Sequence, residues 1–205
     1  MKNYLLLVLA MTIINLQAAV TDINPNEQLA QGLMEMSIAE ASLNDQLWHE
    51  LNQGALVNIN RVKELIGLGA DVNAYTFNEY AQMNITPLIA AIKADNVSLA
   101  ELLLSNHANP SLAEVISKVD PCLPKAFHMT PLHVATIGGN PRLITLLLEY
   151  GANVNSRDYL DRSPLNYALH QMNETGGYTN KKVSLETRFN IYRMLAQASK
   201  QQQEK

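Results

Sequence analysis

The chain has 205 residues, of which 47% are hydrophobic and 17% are charged, and it carries a net charge of −4 at neutral pH. This composition is typical of a soluble globular protein and excludes a chain that is disordered or membrane-embedded along its whole length. Because the net charge is small and acidic, no overall positive field attracts a phosphate backbone, so we expect no nucleic-acid partner.

The first predicted element is an N-terminal signal peptide over residues 1–18. Lys2 precedes an apolar run over residues 4–14, and the small pair Ala18-Ala19 follows that run. A charged start, an apolar centre and small residues at the cleavage point are the features of a secretory signal. The run is shorter than the about 20 residues that span a bilayer, which disfavours the alternative of an uncleaved membrane anchor. We expect cleavage after Ala18 or Ala19, and a periplasmic or secreted product with no membrane contact.

The next predicted element is a helical region over residues 22–43, which we expect to cap a repeat domain over residues 44–199. A polar tail over residues 200–205 follows that domain. Cys122 is the single cysteine of the chain, so no intramolecular disulfide can form. The stability of the domain must therefore come from packing.

A three-residue phrase recurs along the predicted repeat domain. It is Thr-Pro-Leu at residues 86–88 and 130–132 and Ser-Pro-Leu at residues 163–165, and the last two starts lie 33 residues apart. The hydroxyl side chain can cap the free N–H groups of a new helix, and the proline follows where its missing N–H is harmless. The phrases Gly-Ala-Asp-Val-Asn at 69–73 and Gly-Ala-Asn-Val-Asn at 151–155 close two of the units. Glycine suits such an end because it tolerates the left-handed conformation of a helix C-cap.

These phrases and their spacing resemble the ankyrin-repeat family. The resemblance covers about four units, of which the first lacks the Thr-Pro start and is degenerate; we place them at 44–74, 86–110, 130–155 and 163–198. It implies an all-α solenoid of helix-turn-helix repeats with extended hairpin loops and an N-terminal capping helix. It also implies that His133 bonds Thr130 and nearby backbone, and that a concave face of hairpin loops and first helices binds a protein partner.

Two of the loops between the repeats are long. The first, from Gly69 to Thr86, spans 17 residues and the second, from His107 to Thr130, spans 23, whereas the third spans 12. We expect these longer loops to enlarge the binding face.

Aromatic residues are concentrated in the first of these loops. Aromatic side chains are enriched at binding hot spots, although any one ring has the alternative of folding back onto the stack. Other candidates lie in the second and third loops and at the family's variable positions on the first helices. The candidate protein-binding residues are Tyr75, Phe77, Tyr80, Lys93, Phe127, Ile137, Arg157, Tyr159, Leu160 and His170.

The sequence offers little for catalysis. The five histidines are not spaced as metal ligands, and no nucleophile elbow or phosphate-binding loop is present. We therefore expect no enzyme activity, no cofactor and no metal, and a monomer that inhibits, protects, assists or modifies the behaviour of its partner. Two alternatives remain open: an enzyme whose site assembles Cys122, His128 and His170 from the long loops, and a structural homo-oligomer.

Overall fold

The computed structural model describes residues 43–53, 56–78, 83–116, 129–172 and 183–204. The predicted signal peptide, and all of the predicted capping region except its last residue, lie outside these ranges.

The described residues form eight helices that follow one another in pairs, as a solenoid of helix-turn-helix repeats requires. The pairs are α1 (43–51) with α2 (Ile59–Leu68), α3 (Pro87–Lys93) with α4 (Val97–Ser105), α5 (Pro131–Gly138) with α6 (Pro141–Glu149), and α7 (Pro164–Met172) with α8 (Leu185–Gln203). The prediction of an all-α solenoid is confirmed. None of the helices in these ranges is both long and apolar enough to cross a bilayer.

Polar side chains start the helices, as the recurring phrases predict. Thr86 caps α3 through a hydrogen bond from the backbone N–H of Ile89, 3.4 Å from its hydroxyl oxygen. Thr130 starts α5 with a capping box, in which its side chain accepts from the backbone of His133 and the His133 ring accepts from the Thr130 backbone. Asn96 starts α4 in the same way, with the N–H of Leu99 3.0 Å from its side-chain oxygen. These contacts satisfy backbone donors that would otherwise lack a partner at the helix start.

The ends of the helices are set by residues in the left-handed backbone region. Gly69 follows α2 with φ 114°, Gly139 follows α5 with φ 78°, and Gly151 closes the third repeat with φ 83°. His107 occupies the corresponding place in the second repeat with φ 69°. Glycine adopts this conformation without the steric penalty of a Cβ atom, which explains why it closes the first and third units and also follows α5.

The two long loops pair with each other through short strands. β1 (Thr76–Asn78), β2 (Met83–Ile85) and β3 (Val115–Ile116) form an antiparallel sheet in that order, with Thr76 opposite Ile85 and Asn84 opposite Val115. The strands were not predicted. β1 and β2 form a hairpin within the first loop, and the hydrogen bonds between β2 and β3 join that loop to the second. The two loops are distant in sequence, so no local pattern specifies the pairing of β2 with β3.

The helices from the second repeat onward pack in two layers. α3, α5 and α7 lie side by side in one layer, and α4, α6 and α8 lie side by side in the other. Leu103, Leu132, Leu147 and Ile191 are fully buried between the layers and join one continuous hydrophobic core. We call the outer side of α3, α5 and α7, with the hairpin loops that precede them, the first-helix face.

The final helix extends beyond the predicted end of the repeat domain at residue 199. α8 continues to Gln203, so most of the predicted polar tail is helical. The side-chain amide of Gln202 donates to the Ala152 carbonyl at 3.0 Å, and its oxygen accepts from the Val154 N–H at 3.1 Å. These bonds hold the end of α8 against the third hairpin loop.

Candidate functional site

A cleft of about 430 Å³ opens on the first-helix face between α3 and α5. Its walls are mainly apolar, and charged or amide side chains lie at its edges. The cleft is lined by Ile92, Lys93, Asp95, Glu114, Met129, Val134, Ala135, Ile137, Gly138, Asn140 and Leu143. A concave, largely apolar surface with a few polar groups is the usual form of a binding site.

An ion pair forms one edge of the cleft. Nζ of Lys93, the last residue of α3, lies 2.7 Å from Oε2 of Glu114, which precedes β3. The Glu114 side chain is only 4% exposed, whereas that of Lys93 is 38% exposed. The Glu114 backbone N–H also donates to the Met129 carbonyl at 3.1 Å, which fixes the second loop against the start of the third repeat. A buried carboxylate needs such a partner, because an unpaired charge is expensive to keep out of water.

A hydrogen bond between repeats also borders the cleft. Nδ2 of Asn140 donates to Oδ1 of Asp95 at 2.7 Å. Asn140 also caps α6 through the N–H of Arg142 at 2.9 Å, and Asp95 ends α3 with φ 55°. Both side chains are therefore fixed by the turns they occupy, and the spacing of α3 and α5 at the cleft is preorganised.

Tyr75 connects the first and second loops. Its hydroxyl donates to the Ala113 carbonyl at 2.9 Å, and 43% of the residue remains exposed. Partial burial of Tyr75 raises the pKa of its hydroxyl, so the hydroxyl stays protonated and can donate this hydrogen bond. The ring thus folds partly onto the stack, as one alternative predicted, and still presents surface to a partner.

The third loop is organised by the buried carboxylate of Asp158. Oδ1 accepts from the N–H groups of Leu160 and Arg162, both at 2.9 Å, and Oδ2 accepts from the Arg162 guanidinium at 2.9 Å and the Tyr167 hydroxyl at 2.6 Å. Burial alone raises the pKa of Asp158, but the hydrogen bonds from Tyr167, Arg162 and Leu160 outweigh it and hold that pKa below its ordinary value. The carboxylate is therefore a structural centre that organises the turn of this loop.

His133 links the start of α5 to the third loop. Its Nδ1 accepts from the Thr130 N–H at 3.2 Å, and its Nε2 lies 3.0 Å from the Arg162 carbonyl. The carbonyl can only accept, so Nε2 carries the proton. Burial lowers the pKa of His133, which favours this neutral form. The role that the family resemblance implies for His133, bonding Thr130 and nearby backbone, matches these contacts.

The structure brings two of the predicted binding residues, Lys93 and Ile137, together in the cleft. The others that it describes lie elsewhere on the first-helix face or its loops: Tyr75 at the first loop, Arg157, Tyr159 and Leu160 in the third loop, and His170 exposed in the last turn of α7. The side chains of Phe77, Tyr80 and Phe127 lie outside the description.

Several cleft residues were not predicted. Glu114 stands 21 residues from its partner Lys93, and no sequence signal connects the two. Met129 lies directly before the Thr-Pro-Leu phrase at residues 130–132 and Val134 lies shortly after it. No sequence pattern marks either residue as part of a site. Asn140 meets Asp95 across 45 residues of sequence, and no local pattern connects them.

The described residues hold no group of three or more histidine, cysteine, aspartate or glutamate side chains that could bind a metal. Of the three residues in the alternative enzymatic site, Cys122 and His128 lie outside the described ranges.

Comparisons with known proteins match the repeat pattern. A family model described as ankyrin repeats matches residues 47–158 and 109–176, with three copies. FPV024, an ankyrin repeat protein of fowlpox virus (strain NVSL), is 31% identical over 109 residues, which are 53% of this chain and 16% of that protein. FPV244, an ankyrin repeat protein of the same virus, is 45% identical over 82 residues, 40% of this chain and 11% of that protein.

A shorter similarity extends to a plant protein. The ADP-ribosylation factor GTPase-activating protein AGD2 of Arabidopsis thaliana is 50% identical over 38 residues, which are 18% of this chain and 5% of that protein. The matched segments thus span less than a fifth of the length of any of these three curated relatives.

Proposed function

The chain belongs to the ankyrin-repeat family, whose repeats form protein-interaction modules, and we propose that it is an exported module that holds one protein partner on its first-helix face. The cleft between α3 and α5 is the central contact, and the hairpin loops extend the contact on one side. The observation that carries this proposal is the cleft itself, which combines apolar walls with a preorganised polar rim on the face where two predicted binding residues meet.

The chemistry of the cleft indicates what the partner presents there. Ile92, Val134 and Ile137 offer aliphatic surface, so the inserted group is an apolar side chain that displaces water from the cleft. Asp95 lies exposed at the rim, and Glu114 is already neutralised by Lys93. A partner with an apolar side chain next to a cation or an N–H donor would therefore complement both the walls and the Asp95 carboxylate, which accepts a hydrogen bond from Asn140 but keeps its negative charge exposed.

The loops contribute the outer part of the proposed contact. Tyr75 keeps nearly half of its surface exposed while its hydroxyl is fixed, so its ring is ordered before the partner arrives. Leu160 is similarly exposed in the third loop, next to Arg157 and Tyr159. Ordered aromatic and aliphatic side chains lose little conformational entropy on binding, which favours them as anchors.

A glycine at the cleft allows the site to be blocked without disturbing the fold. A Cβ atom at Gly138, the last residue of α5, would meet no atom within 4 Å, and the same holds for Gly67 in α2. Gly138→Tyr fills the cleft, whereas Gly67→Tyr adds the same side chain at an exposed helical position away from it. Replacing a helical glycine is neutral or mildly stabilising, so both variants should fold.

The two variants test the cleft by quantitative pull-down of partner from the native host extract. We expect Gly138→Tyr to reduce recovery of the wild-type partner at least about tenfold, as a blocked hot spot does, and Gly67→Tyr to leave it unchanged. Equal recovery with Gly138→Tyr and wild type would show that the cleft is not the binding site.

A second pull-down tests the contribution of the first loop. The variant Tyr75→Ala/Phe77→Ala/Tyr80→Ala removes the three aromatic rings of this loop, and we expect it to weaken capture of the same partner. Unchanged recovery would remove the first loop from the proposed contact and leave the cleft proposal standing.

The proposed export rests on residues 1–19, where a lysine, an apolar run and a small-residue pair follow one another. Intact-mass measurement of the protein from its host tests this proposal. We expect a mature chain that begins at Ala19 or Val20, recovered outside the cytoplasm as a monomer by light scattering. An unprocessed chain in the membrane fraction would contradict the proposed cleavage.

A further inference from the structure

The last helix carries an apolar stripe on the side that faces away from the core. Ile191 and Leu195 are fully buried against the stack, while Leu185 is 61% exposed and Phe189 is 53% exposed. Tyr192 and Ala196 continue the same stripe at helical spacing and are partly exposed. A terminal surface helix normally turns polar residues outward, so apolar side chains on both sides of α8 indicate two packing surfaces.

A shallow groove of about 280 Å³ runs along this outer side of α8. It is lined by Phe189, Tyr192, Arg193, Ala196, Gln197 and Lys200, and we call these residues together with Leu185 the α8 face. The stripe from Leu185 to Lys200 is about 22 Å long at 1.5 Å per residue. That length accommodates about four turns of a second helix packed alongside α8.

Two cations border the apolar stripe on one side. Arg193 and Lys200 lie seven residues apart, which places them on the same side of the helix two turns apart. Neither forms an ion pair within the part of the chain that the structure describes. The acidic residues Glu186 and Glu204 lie at the two ends of α8, so the middle of the α8 face is positive although the whole chain is acidic.

Within the part of the chain that the structure describes, the packing of the repeats leaves this face open. α4 is covered along the stack by α6, and α6 is covered by α8, but no helix among the described residues covers α8 in turn. An apolar stripe bordered by cations that form no ion pair among the described residues is complementary to a helix that carries an apolar stripe bordered by carboxylates. We propose that the α8 face binds an acidic amphipathic helix of a partner protein, as a second interaction surface separate from the first-helix face.

Designed peptides test this surface directly. The probe is a fluorescein-labelled 18-residue helix with leucines at i, i+3, i+4 and i+7 positions and glutamates beside them, and its matched control has lysines in place of the glutamates. Fluorescence anisotropy with the whole protein should show that the glutamate peptide binds at least about tenfold more tightly at low salt. Added salt should reduce that preference, because it screens the charges. Equal binding of the two peptides, or no binding of either, would overturn the proposal.

Substitutions on the α8 face locate the binding. Phe189→Asp should weaken binding of the glutamate peptide at least about tenfold. Leu68→Asp, which changes a similarly exposed leucine on α2, should not affect this binding. Arg193→Glu/Lys200→Glu should make the lysine peptide the tighter ligand. This second variant changes only exposed charges, so it keeps the test informative if Phe189→Asp proves unstable by circular dichroism. Equal losses with Phe189→Asp and Leu68→Asp, or an unchanged peptide preference in the charge variant, would refute the assigned face.

Self-association is the competing outcome. If light scattering shows a dimer that Phe189→Asp dissociates, a second copy of this chain occupies the face, and the proposal of an acidic partner helix is wrong. A monomer that binds the glutamate peptide through Phe189 supports it. The Gly138→Tyr variant should bind that peptide normally, because the cleft and the α8 face are separate.

Discussion

Removing the carboxylate of Asp158 should destabilise the fourth repeat more than any substitution of a surface acid. The side chain is completely buried and accepts hydrogen bonds from two backbone N–H groups, the Arg162 guanidinium and the Tyr167 hydroxyl. Asp158→Ala therefore leaves several donors without their acceptor at once. The position also orders the third loop, which carries three of the predicted binding residues.

The expected magnitude follows from how well water can replace each lost bond. Tyr167 is only 2% exposed, so an unsatisfied hydroxyl there costs about 1–3 kcal/mol. The Arg162 side chain is 20% exposed and can turn partly to solvent, which reduces the about 3–5 kcal/mol loss typical of breaking a buried pair. The two backbone N–H groups are reached more easily by water and add little. We expect Asp158→Ala to lower the free energy of unfolding by about 3–5 kcal/mol.

Urea denaturation followed by circular dichroism measures this loss. Tyr167→Phe removes the hydroxyl, so Asp158→Ala/Tyr167→Phe should cost less than the two single changes added together, with a coupling of about 1–2 kcal/mol. Glu149→Ala, which removes an exposed carboxylate from α6, serves as the control and should shift the free energy by less than about 0.5 kcal/mol. A loss below about 1 kcal/mol for Asp158→Ala, or strict additivity with Tyr167→Phe, would refute the view that this carboxylate organises the loop.

Three further predictions concern the core, the end of the stack and pH. Leu147→Ala should lower the free energy of unfolding by about 2–5 kcal/mol because Leu147 is fully buried. Leu68→Ala, at an exposed site, should change this free energy by less than about 0.5 kcal/mol. Urea denaturation of both variants measures the two changes. Gln202→Ala should lower the free energy of unfolding by about 1–2 kcal/mol because two hydrogen bonds are lost, whereas Gln201→Ala at an exposed position should be neutral. Thermal melts of the two variants measure this difference. The pKa of His133 in the folded protein lies below its unfolded value of about 6.5, so the contribution of His133 to stability is complete above pH 6.5 and is lost as the pH falls toward the folded pKa. Denaturation measured between pH 7 and 5 should show this loss in the wild type. The His133→Gln variant should show a flatter pH profile.

Local sequence accounts for much of the fold. A threonine followed by proline starts a helix at both places where this pair occurs in the described residues, and Gly69 and Gly151 end their repeats because the required backbone conformation suits glycine. Such rules act within a few residues, so they could be applied to the printed sequence without any structure. The repeat spacing then placed the helices in pairs and identified the first-helix face.

The composition of the candidate site depended on contacts between distant parts of the chain. Lys93 and Ile137 could be predicted because the repeat register marks them as variable positions, but neither the cleft between them nor its buried Glu114 follows from that register. The strands that join the two long loops arise only when those loops meet, and Tyr75 becomes ordered only by reaching Ala113.

The sequence by itself determined the repeat architecture, because helix starts, helix ends and apolar spacing are local properties of the backbone and side chains. Tertiary structure alone decided which carboxylates are buried and paired, where the cleft opens, and that no helix of the described ranges covers the apolar and basic side of α8. The physical reason is that burial, ion pairing and surface complementarity depend on distances between residues that are far apart in the chain.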